Sequence, residues 1–180
     1  LALLGKCSVK SDSPSIIAFL ESLELSEKDH RNARELIAQM AEADWKTREQ
    51  ARKALTTLAV LPVEDLREGT KSKDKEVASR CRRILQERES EMTMQVESAI
   101  RVLGYRRVPG SAAAILGAAR IMDGQGILMA AREALPRAAG PEDAVFVEKC
   151  LADKNALTRE LAVLAVPVAL GDQAALLLED

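Results

Sequence analysis

The residues that most readily do chemistry are few and scattered in this chain. Its one histidine, His30, stands in the polar run from Ser26 to Asn32. Without a second histidine there is no imidazole ligand pair, and no Cys-His or Ser-His-Asp set exists to activate a nucleophile. His30 is therefore expected to be a solvated turn residue. Cys7, Cys81 and Cys150 are far apart with no Cys-x-x-Cys pair, which suggests neither a disulfide framework nor a zinc site. Cys81 falls at a core position, where a free thiol behaves as a small hydrophobe. Gly124-Gln125-Gly126 lies between two helical segments instead of after a strand, so it reads as a hairpin turn and not as a phosphate loop. The acid pairs Glu64-Asp65 and Glu142-Asp143 belong to first helical turns, where negative charge complements the helix dipole. No catalytic residue, cofactor or metal is expected. What remains is cationic: Arg52, Lys53, Arg82, Arg83 and Arg132.

Their meaning depends on the elements that carry them, and those elements repeat. Thr47-Arg48-Glu49-Gln50-Ala51 followed by Leu55 matches Thr158-Arg159-Glu160-Leu161-Ala162 followed by Val166. Weaker copies run from Val77 to Leu85 and from Ile127 to Leu135. The anchors Ala51, Cys81, Ala131 and Ala162 are spaced 30, 50 and 31 residues apart, and two of these intervals are the span of one helical hairpin. Apolar residues recur within each copy at three- and four-residue steps, the stripe of an amphipathic helix. A second amphipathic segment precedes each copy, at Ala33 to Ala43, Pro62 to Thr70, Ser111 to Met122 and Pro141 to Ala152. Asp44, Asp74, Asp123 and Asp153 stand between the pairs, placed to cap the second helix or close the turn. Each repeat thus reads as helix A, a turn containing Asp, then helix B.

Glycines mark the joints at Leu4-Gly5, Leu103-Gly104, Gly140 and Leu170-Gly171, where a helix is expected to stop in a left-handed residue. The long interval runs from Ser79 to Leu103 without proline or glycine. A break near Ser90 is favoured there over one long helix, because Glu87 to Glu91 is densely charged. The chain then reads as one array, residues 1–180, with sub-arrays 1–89 and 92–180 joined by a charged helical extension. Ser13 to Leu25 supplies an apolar face through Ile16, Ile17, Phe19, Leu20 and Leu23. Leu1 to Leu4 and Asp172 to Leu178 read as the tail and the start of further helices. Capping by neighbours or by self-association is expected at such ends, and an upstream export signal would be invisible.

Composition agrees with helices and narrows the partners. Apolar residues make up 47% of the chain but aromatic ones only 2%, which specifies a core of Ala, Leu, Ile and Val. The 26 basic and 28 acidic side chains leave a formal charge of −2, unlike a dedicated nucleic-acid binder. The longest apolar stretch, Leu161 to Leu170, contains Pro167 and is far shorter than the roughly 20 residues that span a bilayer.

The pattern of Asp in the turn, Val or Thr then Arg early in helix B, then Ala and Leu, resembles HEAT repeats, including the short bacterial variety called PBS-lyase-type. Asp44-Thr47-Arg48-Ala51-Leu55 and Asp153-Thr158-Arg159-Ala162 carry it best; Asp74-Val77-Cys81-Leu85 is similar without the Arg. The likeness covers about Ala33 to Asp180. It implies an all-α, right-handed superhelical solenoid and a non-enzymatic scaffold that binds a protein or an acidic peptide. In the two middle copies the Arg position holds Ala78 and Leu128, which interrupts any Asp–Arg ladder. The His-Glu ligand pairs of iron-binding HEAT hydroxylases are absent. DNA glycosylases with a HEAT-like fold use an aromatic and a carboxylate on a damaged nucleotide, so Trp45 and Asp44 are noted, with a glycosylase-like or chromophore-lyase-like module as the other reading. One residue past the anchors stand Arg52, Arg82 and Arg132, followed by Lys53 and Arg83. Along one edge of stacked B helices these cations would suit an acidic or phosphate-bearing partner.

Overall fold

A computed structural model describes residues 12–122 and 124–171. The readings made for Leu1 to Leu4, Gly5, Cys7, Asp123 and Asp172 to Leu178 lie outside the described residues. The described chain is all-helical, without strands: α1 Ser13–Glu21, α2 Glu27–Gln39, α3 Trp45–Thr57, α4 Val63–Gly69, α5 Lys75–Arg106, α6 Ala112–Ile121, α7 Gln125–Ala138, a 3-10 turn Pro141–Asp143, α8 Ala144–Leu151 and α9 Ala156–Ala169.

The chain forms two compact units, Leu25–Met92 and the residues up to Glu24 together with those from Thr93. In the first, α2 packs on α3 and on α4. In the second, α1 packs on α6, α6 on α7, α8 and α9, and α9 on α7 and α8. The segment Ser13 to Leu25 therefore finds its partner far along the sequence, in α6.

The B helices share one register. Asp44, Gly124 and Asn155 are the N-caps of α3, α7 and α9, and the Asp74 carboxylate accepts the N–H groups of Glu76 and Val77 at the start of α5. Each anchor lies seven residues past its cap (44 to 51, 74 to 81, 124 to 131, 155 to 162), and all four anchors are 1% exposed or less. Four residues on, Leu55, Leu85, Leu135 and Val166 are all buried. Steps of seven and eleven fall on one side of a helix. Fully burying such an aliphatic side chain stabilises by roughly 1.5–3 kcal/mol. Proline repeats as well: Pro136 and Pro167 each lie twelve residues past the cap. Thr56 holds that place in α3, its hydroxyl bonded to the Arg52 carbonyl at 2.8 Å. Proline removes an N–H from the last turn and the threonine hydroxyl bonds back to its carbonyl, two devices known to bend helices.

Several sequence expectations change. The charged stretch Glu87 to Glu91 does not break the helix: α5 continues for 32 residues. It also does not end at Gly104. It closes at Arg106 with Arg107 in the left-handed region (φ 51°), where the Val108 N–H reaches the Leu103 carbonyl at 3.2 Å. Gly104 serves close packing instead, since a Cβ there would lie 2.6 Å from the Ala134 Cα. Gly140 is extended (φ −143°) and caps the 3-10 turn; Gly171 does take a positive φ of 51°. Gly124 ends the connection between α6 and α7 as the cap of α7, while Gln125 and Gly126 already belong to that helix's first turn.

Candidate functional site

The cationic residues on α3 and on the first half of α5 all belong to the unit Leu25–Met92, and the sequence locally fixes where they point. The Asp44 carboxylate caps α3 by accepting the Thr47 N–H at 2.9 Å and its hydroxyl at 2.8 Å. Those two bonds, the hydroxyl first, hold the Asp44 carboxyl below its ordinary 3.8. One residue on, the Arg48 guanidinium turns back and donates to the carbonyls of Glu42 and Ala43 at 2.9 and 2.8 Å. It thereby satisfies carbonyls at the end of the preceding turn and points its remaining edge toward α5. There Glu76 pairs with both Arg48, at 3.9 Å, and Arg80. Arg88 donates to the Thr56 and Leu58 carbonyls at 2.8 and 3.2 Å, fastening α5 to the C-terminal end of α3.

This seam is rich in guanidinium groups, and Arg48 Nε, Arg80 Nη1 and Arg88 Nε are buried there without a hydrogen-bond partner in the structure. Arg52 is committed within its own helix: it grips Glu49 at 2.6 Å. That contact lowers the Glu49 pKa and raises that of Arg52. Lys53, Arg82 and Arg83 are exposed and join no ion pair among the described residues. Nearby, Lys71 pairs with Glu68 at 2.7 Å. Arg132 lies in the other unit, on α7, where it bridges to Glu160 of α9 at 2.7 Å. Of the five candidate residues, Lys53, Arg82 and Arg83 therefore keep uncommitted charge.

Sequence reasoning missed two buried carboxylates. His30 is not a solvated turn residue. The Ser26–Asp29 capping box starts α2 at Glu27, six residues earlier than the expected segment, and this puts His30 inside the helix. Its Nδ1 meets Asp65 at 2.7 Å, and Arg34 Nε donates to the same carboxylate at 2.9 Å. Asp65 is only 4% exposed at the side chain. Asp143 holds the same place, three residues past a cap, in the A position of a later hairpin. It accepts the Ala113 N–H at 3.1 Å and the Gly140 N–H at 2.9 Å. These acids do more than complement a dipole, because each ties its A helix to the preceding one. The shared Glu-Asp dipeptide two residues past each cap was the available signal.

Trp45 is 63% exposed at the first position of α3, while the neighbouring Asp44 carboxylate is occupied by its capping bonds. No cluster of three or more metal-ligating side chains occurs among the described residues. Among the described residues, no helix is long and apolar enough to cross a membrane. The fold and site together define an all-helical protein in which α3, α5, α7 and α9 repeat one register and α3 and α5 carry exposed cations. No family model matches the chain, and no curated protein or solved structure matches it either.

Proposed function

We propose that this chain is a HEAT-like, right-handed α-solenoid acting as a non-enzymatic scaffold, and that it binds an acidic protein segment on the outward side of α3 and α5 at Lys53, Arg82 and Arg83. The observation that carries the reading is the common register of four B helices, with the anchor seven residues past each cap and buried in all four. The arginine clamp adds to it. Arg159 donates to the carbonyls of Asp153 and Lys154 at 2.8 and 3.1 Å, six and five residues back, as Arg48 does to Glu42 and Ala43. Repeat position fixes direction in such arrays, so equivalent positions offer a continuous surface to a partner. The scaffold role itself is an analogy from fold.

The test is quantitative pull-down with the wild-type chain and a Lys53→Glu, Arg82→Glu, Arg83→Glu variant. Partners should be lost on charge reversal and released by added salt. Retention of every partner would sink the assignment. Exposed Trp45 favours a second reading, a nucleic-acid module of glycosylase type. Backbone contacts dominate such binding at low salt, so failure to bind duplex DNA at about 50 mM salt removes it.

A further inference from the structure

Helix α5 packs against α7 at Gly104, where a Cβ would lie 2.6 Å from Ala134, within the unit that includes the residues from Thr93. Because Gly104, Ala130 and Ala134 carry little or no side chain, their outer side is left as a trough of about 210 Å³. Its walls are longer side chains one helical turn apart: Arg101 and Tyr105 on α5, Glu133 and Arg137 on α7. One end is closed, since Arg101 spans it to Glu133 at 2.6 Å while also holding Glu97 at 3.2 Å. The other end is open. Tyr105 is 86% exposed there, and Arg137 is exposed and joins no ion pair among the described residues.

We infer that this trough is a docking site for an acidic side chain of a protein partner, whose carboxylate is gripped by Arg137 while its methylenes and backbone lie over the Gly104–Ala134 floor against the Tyr105 ring. Size argues for a side chain, because small-molecule and cofactor sites occupy about 300–1,000 Å³ and the trough falls below that range. Charge selects the class. A guanidinium binds a carboxylate in a two-pronged grip, and tyrosine gives apolar contact at low entropic cost. Glu133 is offset by its pair with Arg101 and can still accept a peptide N–H, while the chain's formal charge of −2 offers a phosphodiester backbone no general attraction. The inference rests on the chain being a partner-binding protein, but it uses none of the residues Lys53, Arg82 and Arg83.

The test uses the whole chain and an array of N-acetylated octapeptides, each with one Glu among varied apolar residues and each paired with its Gln counterpart. Glu peptides should bind and Gln counterparts should not. Binding should perturb the amide signals of Gly104, Tyr105, Ala134 and Arg137, and should weaken at least tenfold in Arg137→Gln and in Tyr105→Ala. Both side chains are exposed, so these variants should keep the wild-type melting temperature. The Lys53→Glu, Arg82→Glu, Arg83→Glu variant should bind the same peptides normally, which separates this site from the one proposed above. Absence of any Glu-dependent binder, full binding by Arg137→Gln, or tighter binding of duplex DNA at the same amides would each overturn the inference.

Discussion

Asp29 and Asp44 do similar work at the starts of α2 and α3, and both respond to acid in the same direction. The Ser26 hydroxyl and amide hold the Asp29 carboxyl below its ordinary 3.8, and the Thr47 hydroxyl and amide do so for Asp44. A carboxyl whose folded pKa is depressed contributes stability that is fully present above its unfolded pKa and is lost as pH falls through the folded one. The urea midpoint should therefore drop as pH is lowered from about 5 toward about 2. Asp44→Asn isolates the effect, because Asn caps a helix about as well as Asp but does not titrate. Its stability should match wild type near neutral pH and fall less steeply in acid; an unchanged slope would rule out Asp44 as a contributor. The Asp44 cap was legible, since Asp-x-x-Thr spans one turn; the Ser26–Asp29 box was not, because no apolar period follows it. Nor was the His30–Asp65–Arg34 cluster, because His30 and Asp65 are 35 residues apart and nothing local to either marks the other.

Among elements, the B helices were readable and the A helices only partly so. A B helix declares itself by a capping residue, an anchor seven later and an apolar residue four beyond that, all set by its own buried stripe. α2 is different: only Ala33 is fully buried along it, so its polar first turns carry no apolar period and the sequence pattern begins only at Ala33. The Thr-Arg pair belongs to the repeat pattern, and the structure gives its arginine a distinct task, closing the turn between A and B. Each guanidinium donates twice to carbonyls that the helices leave open. Hydrogen bonds from a charged donor contribute about 1.5–3 kcal/mol when shielded and less when exposed. Arg48→Ala and Arg159→Ala should thus cost about 1–2 kcal/mol each in urea unfolding. Arg52→Ala, on the same helix as Arg48, loses only a partly exposed pair within its own helix and should stay within about 0.5 kcal/mol of wild type. If Arg52→Ala costs as much as Arg48→Ala, the turn clamp is not the source of the stability.

At the level of the whole molecule, α5 is the element that both units share, since the division falls between Met92 and Thr93 inside it. The dense charge of Glu87 to Glu91 suggested an interruption, because in a short window charge looks like loop. The helix persists because two of these side chains, Arg88 and Glu89, are tied to neighbouring elements and the buried stripe runs on past them. Arg88 is fastened to the end of α3, Glu89 meets Arg67 of α4 at 2.6 Å, and the Met92 sulfur accepts the Leu61 N–H at 3.4 Å. Ile84, Leu85, Met92, Val96 and Ala99 keep the buried stripe on either side of the charged turn. A continuous helix makes a sharp prediction at Ser90, which is exposed. Proline there removes one backbone bond and strikes the preceding turn, so Ser90→Pro should lose about 3 kcal/mol or more. Ser90→Ala should gain about 0.5 kcal/mol from helix propensity alone. Amide exchange in the wild type should show unbroken protection from Ala78 to Leu103. Rapid exchange confined to Glu87 to Glu91, with Ser90→Pro tolerated, would restore the break and leave two helices where the structure has one.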